Sequence, residues 1–406
     1  MSDYSVTQAL RRRLQCVDAS GEHRVAFPSF GDAVRRIEKG GLHFYIGIDA
    51  TSPDLHIGHT GPLLLMKDLA SFGNHITILF GDFTSRIGDP TDKAAARIVQ
   101  TAEEVTAHMN TYLSQVEKIL PKGSFQVRYN SEWLGKMSFE KIAELGSHVT
   151  VQQMIARDMF QDRIKAEKPI FVSEFLYPLM QGYDSVALDI DGEIGGNDQT
   201  FNMLVGRDLL KIYRQKDKLV LPVRLLVDPT TGRKIGKSEG GFIALRDAPE
   251  IIFEKVTRTI PNEAIKNVFI LCTEVSESDI ETMHERAKET GEWRAFNLSL
   301  AEELVRMYHG EKAVRPAREA YERSVTGSVT EDDEAVLVKG TAHTSMAHIL
   351  ATALSVSKSE AKRLIEQRAV TKNGELVTDP LGPSGAQDGD VLRVGSHRPF
   401  RIQLTS

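Results

Sequence analysis

Two short motifs carry residues able to handle phosphate. His56-Ile57-Gly58-His59 follows an apolar run and a polar turn, "GLHFYIGIDATSP", and opens "TGPLLLMKDLASFG", whose apolar residues recur at helical spacing. Two histidines three apart at a helix start can share a face. The glycine between them lets a ligand approach the backbone closely, and the N–H groups of a helix start favour bound phosphate. Lys234-Ile235-Gly236-Lys237-Ser238 lies in a loop after the apolar "PVRLLVDP". Two lysines among glycines suit a mobile clamp on polyphosphate, where they stabilise charge that develops as a phosphoryl centre is attacked. Each motif alone admits a plainer reading: two surface or packed histidines, and a solvated surface turn. No third ligand for a metal can be placed beside the histidines.

A second set fits a substrate with a ring and a hydroxyl. In "EFLYPLMQGYDS", Tyr177 and Gln181 are four apart on a helical stretch and share a face, with Asp184 three residues on at roughly the same side. A pocket holding these and Tyr45 would be strangely polar for leucine or valine. Singly, a tyrosine on a helix is usually packing and an aspartate is usually solvated.

Such residues need a scaffold. "HITILFGD" is nearly all apolar, as expected of a strand buried on both faces of a parallel sheet. "TAEEVTAHMNTYLSQVEKIL" reads as a helix opened by a capping box, Thr101 with Glu104. "FQVRYNSEWL" and "PVRLLVDP" read as further strands, and the alternation indicates an α/β doubly wound, Rossmann-like domain. After about residue 245 strand signals stop and helical patterns take over. A polar, acidic stretch follows. Two helices, "SMAHILATAL" and "SKSEAKRLIEQRA", then precede short strands, a small α+β pattern.

The chain has 406 residues and a formal net charge of −6, which argues against indiscriminate coating of nucleic acid but not against a local RNA surface. Residues 341–406 carry eight Lys/Arg against six Asp/Glu, so by charge alone the tail is a weak RNA-binding candidate. Cys16 and Cys272 are far apart and form neither a metal spacing nor a disulfide framework. No membrane-length apolar run or secretion signal is evident, and a soluble cytoplasmic protein is expected.

Together, HIGH near the N-terminus and KIGKS about 180 residues later resemble the signature pair of the class I aminoacyl-tRNA synthetases. Ile235 and Gly236 stand where that family's loop carries Met and Ser, while both lysines are kept. Tyr45-Ile46-Gly47-Ile48-Asp49-Ala50-Thr51, the segments at Gly81-Asp82 and Gly88-Asp89-Pro90, "EFLYPLMQGYDS" and Gly195-Gly196-Asn197-Asp198-Gln199 resemble the bacterial-type tyrosyl-tRNA synthetases. The resemblance spans nearly the whole chain, and the tail resembles an S4 RNA-binding domain.

The resemblance implies roles. Tyr45 and Asp184 would bind the substrate phenol, and Asp89, Tyr177 and Gln181 its ammonium. Gln199 would lie near the tyrosyl carbonyl and Asp198 on the adenylate ribose. Thr51 and His56 would lie near the ATP phosphates, His59 beside the ribose, and Asp49 and Gly58 along the ATP site. Lys234 and Lys237, with Lys93 and Arg97, would assist phosphate transfer. Lys358, Lys362, Arg363, Arg368 and Lys372 are candidate RNA phosphate contacts. The activity implied joins L-tyrosine to tyrosine tRNA, with ATP as substrate, Mg²⁺ accompanying it, no dedicated protein metal site, and a homodimer. The expected division is a catalytic domain over 1–235, a helical tRNA anticodon-side domain over 236–325, a linker over 326–342 and an S4-like domain over 343–406. Ile46 replaces a cysteine common in relatives, so that polar ribose contact should be absent, while Asp82 and Asp92 replace glycines. Competing readings are a tryptophan–tRNA ligase, a non-catalytic RNA-binding protein on the same scaffold, and an ATP-binding protein without tRNA. The Tyr45/Asp184 pair, the intact motifs and the tail argue against them.

Overall fold

The computed structural model describes residues 4–16, 24–89, 101–232, 234–235, 242–326, 336–354, 356–395 and 400–405. Two compact units divide the chain, Met1–Glu311 and Lys312–Ser406.

The first unit is built on five parallel strands: β1 (His43–Ile48), β2 (His75–Phe80), β3 (Gln126–Tyr129), β4 (Gly192–Gly196) and β5 (Leu219–Val223). Their order is β3-β2-β1-β4-β5. The chain leaves β1 in one direction for β2 and β3 and returns to its other side for β4 and β5. Right-handed crossovers therefore send helices to opposite faces of the two halves, which is the doubly wound arrangement. The switch lies between β1 and β4, and ligands of such sheets bind outside the strand carboxyl ends there.

Local chemistry explains the elements. The helix Ala102–Val116 begins with the expected capping box, in which Thr101 Oγ1 accepts from the Glu104 N–H and Glu104 returns the bond to the Thr101 N–H at 2.8 Å. β2 is apolar because five of its six residues are buried. β5 covers "LVLPV", all buried, so the strand sits earlier than the expected "PVRLLVDP". The apolar run outlasts the sheet, and only pairing with β4 marks where the strand stops. β4, "GEIGG", lacks the usual strand signature, and it forms because β1 and β5 flank it on both sides.

Helices dominate after residue 248, at Pro249–Thr259, Asn262–Cys272, Glu277–Thr290 and Trp293–His309. The carbonyls that end the second of these are bound by the N-terminal helix Val6–Arg13. Arg12 donates to Ile270 O at 2.8 Å and Thr273 O at 2.9 Å, and Arg13 to Leu271 O at 2.6 Å. Cations at a helix C-terminus satisfy its unpaired carbonyls and its dipole.

The second unit carries a mixed sheet of β6 (Val336–Lys339), β7 (Val370–Lys372), β8 (Glu375–Leu376), β9 (Val391–Val394) and β10 (Phe400–Thr405), in the order β6-β10-β9-β7-β8. The helices Met346–Leu354 and Lys358–Glu366 pack on it through Met346, Ile349, Leu350 and Ile365, against Val370, Leu392, Val394 and Ile402. β6 falls inside the stretch read from sequence as linker, and it pairs parallel with β10. Among the described residues no helix is long and apolar enough to cross a membrane.

Candidate active site

A cavity of about 250 Å³ opens where the switch point predicts. Tyr45 reaches it from within β1 and Asp49 and Thr51 from beyond its end, and Asp198 and Gln199 from the end of β4. His56, Gly58 and His59 line it at the start of the helix Ile57–Ser71, as do Tyr177, Gln181 and Asp184 on the helix Val172–Leu188. Asp89 and Lys234 complete the set. Thirteen of the expected substrate-site residues therefore meet in one place. Lys93, Arg97 and Lys237 lie outside the described residues, as does Asp92.

The histidine pair caps its helix. His56 Nδ1 accepts from the Gly58 N–H at 3.1 Å, and His59 Nδ1 accepts from the His56 N–H at 3.1 Å. His59 Nδ1 also lies 3.2 Å from the His56 carbonyl, a contact in which it would donate. Gly58 is needed for this geometry, since a Cβ there would lie 2.8 Å from His56 Cε1.

The buried end of the cavity is a chain of polar contacts. Tyr177 donates to Asp49 Oδ2 at 2.8 Å and Thr84 to Asp49 Oδ1 at 2.7 Å. Asn130 Nδ2 donates to Thr84 Oγ1 at 2.9 Å and reaches Asp184 Oδ2 at 3.4 Å. Trp133 Nε1 donates to Asp184 Oδ1 at 2.8 Å. Asp184 is only 3% exposed. Burial pushes its carboxyl well above the usual carboxylate range, opposed by its bonds to Trp133 and Asn130. Burial also raises the Tyr45 and Tyr177 phenols well above their ordinary value, with nearby carboxylates adding to it. Tyr45 OH lies 3.1 Å from Ser185 Oγ.

Gln181 bonds through Nε2 to Glu193 Oε1 at 3.0 Å, and its Oε1 is buried with no partner among the described residues. A buried acceptor in that state costs stability unless a ligand fills it. Gln199 donates to Asp89, and Lys234 Nζ pairs with Asp198 Oδ2 at 2.7 Å. The cavity thus brings together acceptors suited to a phenol and an ammonium with a helix start, imidazoles and a lysine ammonium suited to phosphate.

Among the sequence departures on described residues, Ile46 lines the cavity with an apolar side chain that offers no donor. Asp82 accepts from the Ser131 N–H at 2.8 Å and from its hydroxyl, which holds the turn bearing Asn130 and Trp133. Sequence reasoning missed Thr84, Asn130, Trp133, Ser185, Glu193 and Lys218. For Lys218 and Glu193 the available signal was a charged residue beside apolar ones, in "KLVLPV" and "GEIGG".

In the second unit, Lys358, Lys362 and Arg363 lie on one helix, where Arg363 pairs with Glu360 at 2.6 Å and Lys362 with Glu366 at 3.5 Å. Arg368 takes a positive φ in the turn that follows. Lys372 Nζ donates to the carbonyls of Ser384 at 3.1 Å and Gly385 at 3.0 Å, which gives it an internal contact as well as charge.

The family model described as tRNA synthetases class I (W and Y) matches residues 38–326. The chain is 37% identical over 376 residues to the tyrosine–tRNA ligase of Thermotoga maritima, covering 91% of this chain and 92% of that one. It is 38% identical over 369 residues to the tyrosine–tRNA ligase of Nostoc sp., covering 89% and 90%. Among solved structures it resembles a C-terminally truncated mitochondrial tyrosyl-tRNA synthetase of Aspergillus nidulans, with a TM-score of 0.64, 20% identity, and 79% and 94% of the two chains covered. At that identity the likeness concerns the fold.

Proposed function

Because the chain belongs to the class I tRNA synthetases of the tryptophan and tyrosine group, we propose that this cavity binds L-tyrosine at its buried end and ATP at its mouth. The activity is that of a tyrosine–tRNA ligase: tyrosine and ATP give tyrosyl-adenylate and pyrophosphate, and the tyrosyl group then passes to the 3′ end of tyrosine tRNA. One observation carries the assignment of the site. A single cavity is lined by two acceptor sets, Tyr45 with Asp184 and Asp89 with Gln181, together with the His56–His59 helix start.

In activation, a carboxylate oxygen of tyrosine bonds to the α-phosphorus while the bond to the bridging oxygen of the β-phosphate breaks. Charge passes to the pyrophosphate oxygens, where Thr51, His56 and Lys234 would stabilise it, with Lys93, Arg97 and Lys237 assisting. ATP enters as its Mg²⁺ complex. Asp198 would hold the ribose, with His59 beside it, and Gln199 would orient the tyrosyl carbonyl. Asp49, which binds Tyr177, and Gly58, which admits the His56 ring, would shape the ATP site from beneath. A ribose hydroxyl of tRNA then attacks the adenylate carbonyl, and AMP leaves.

The same reading assigns residues 1–235 to catalysis, 236–325 to the anticodon side of tRNA, 326–342 to a connection and 343–406 to an S4-like module. In that module Lys358, Lys362, Arg363, Arg368 and Lys372 would meet RNA phosphates. The assembly would be a homodimer in the cytoplasm. Exposed Phe139, Val151, Phe171 and Val172, all between β3 and β4, support a surface that a second copy covers.

Tyrosine-dependent exchange of pyrophosphate into ATP, with phenylalanine and tryptophan as controls, tests the site. Exchange with tyrosine alone is expected. Exchange with tryptophan in place of tyrosine, or none from folded protein, would overturn it.

A further inference from the structure

Behind the amino-acid end of the cavity lies a buried ion pair that the reaction itself does not use. Lys218, 0% exposed, bonds Glu193, 2% exposed. Lys218 precedes β5, and Glu193 sits on β4 directly beside Tyr45 in the sheet register. The lysine also donates to Ser185 Oγ at 2.6 Å, and Ser185 contacts Tyr45 OH. Room for the ammonium depends on Gly206, where a Cβ would lie 2.7 Å from Lys218 Nζ and 2.9 Å from Ser185 Oγ. A buried pair of this kind rarely improves on well-packed apolar residues for stability, so its placement calls for another reason.

Hydrogen-bond direction supplies one. A carboxylate only accepts. Glu193 Oε1 therefore selects the NH₂ end of Gln181, at 3.0 Å, and leaves the Oε1 of this cavity-lining residue buried with no partner among the described residues. With a neutral partner in place of Glu193, the amide could present either end. The wrong end would aim N–H groups at a substrate ammonium. The ammonium of Lys218, a donor only, takes the other oxygen of Glu193, Oε2, while burial pulls the lysine below its ordinary range and Glu193 opposes that pull.

We propose that Glu193, paired with Lys218, is a positioning residue for amino-acid recognition: it fixes the Gln181 carbonyl toward the α-ammonium of the substrate. The inference rests on the reading of Gln181 as an ammonium contact. Removing one member alone would strand a buried charge and threaten folding, so the variant is the double one, Glu193→Gln with Lys218→Met. Its folding is checked by thermal melting and circular dichroism.

The readout is binding by calorimetry of L-tyrosine and of its deamino analogue, 3-(4-hydroxyphenyl)propanoate, to wild type and double variant. Wild type should prefer tyrosine. In the folded double variant that preference should shrink by about 10-fold or more, the worth of a hydrogen bond to a charged group. The ratio isolates the ammonium end, because any effect passing through Ser185 to the phenol end acts on both ligands alike. A preference unchanged from wild type, or equal losses for both ligands, overturns the positioning role. Loss of folding in the double variant assigns the pair to the scaffold and overturns it too. If wild type itself shows no preference for tyrosine, the ammonium reading of Gln181 fails, a result distinct from failure of the Glu193 role.

Discussion

Replacing Asp184 by asparagine separates what its carboxylate does for the substrate from what it does for the fold. The carboxylate now accepts from Trp133 at 2.8 Å and reaches Asn130 Nδ2 at 3.4 Å. Asparagine can keep the Trp133 bond through its oxygen, but its NH₂ then faces the NH₂ of Asn130 and the cavity. A phenol that donated to a carboxylate must find another acceptor. A hydrogen bond to a charged group contributes about 1.5–3 kcal/mol, so kcat/KM for tyrosine should fall about 10- to 100-fold in pyrophosphate exchange. Phenylalanine leaves that carboxylate unmatched in wild type and loses nothing when it is removed, so its kcat/KM should hold or rise. Stability should move the other way. An acid whose folded pKa is raised favours the native state most below its unfolded pKa, and that advantage is lost as pH rises toward the folded value. Burial raises Asp184 in this sense. The variant has no such loss, so its melting temperature relative to wild type should increase from pH 4 to pH 7. Equal losses for tyrosine and phenylalanine, with a variant melting lower by the same margin at every pH, would refute the reasoning and leave Asp184 as an anchor for Trp133 and Asn130.

Lys234→Met should lower the rate of tyrosyl-adenylate formation about 10²- to 10³-fold in rapid-quench assays, the usual worth of one group stabilising transition-state charge, while tyrosine affinity measured without ATP stays put. Loss of the His56 cap in His56→Ala should destabilise by about 1 kcal/mol, and His56→Asn, which can cap, should recover the melting temperature without the exchange rate. Gly81→Ala would put a Cβ 2.0 Å from Asp49 Oδ1 and 2.4 Å from Thr84 Oγ1. The Asp49–Thr84 bond must then open, at about 1–3 kcal/mol by denaturant titration, with a rise in KM for tyrosine.

The parts of the site carried on a single helix were far more legible in the sequence than the parts that only the sheet brings together. A histidine pair before a helical pattern locates itself, because capping and phosphate binding are local acts of one helix start. Tyr177, Gln181 and Asp184 were equally readable, since their spacing on one helix fixes a common face. Asn130 and Trp133 reach Asp184 from beyond β3, more than fifty residues away, held by Asp82 from the end of β2. No periodicity links three such segments; only the sheet does. β4 was hidden for a related reason. Its glycines carry no strand propensity, and one of them, Gly192, is required because the Phe44 ring fills the place of its side chain: a Cβ there would lie 2.2 Å from Phe44 Cε1. In the tail the two helices and the strands after them were readable while β6 was not, and the basic face read there meets carboxylates, since Glu366 and Glu360 stand four and three residues from Lys362 and Arg363.

The buried polar groups also explain where specificity is stored. Asp49, Asn130, Asp184, Gln181 and Glu193 are tied to one another or to Tyr177, Thr84, Trp133 and Lys218, so each is held in one orientation before substrate arrives. Water is the alternative partner for each of them in an unfolded chain, so the network costs stability and must be carried by the apolar strands around it. What remains unpaired in that network, among the described residues, is the buried carbonyl of Gln181, a residue that lines the cavity. A ligand with an ammonium at that point satisfies it, and one without leaves the full desolvation cost in place. Discrimination thus arises from groups already fixed, and the prediction for Glu193 and Lys218 follows from the same logic: loosen the orientation and the preference for the ammonium should go, even though the cavity keeps its shape.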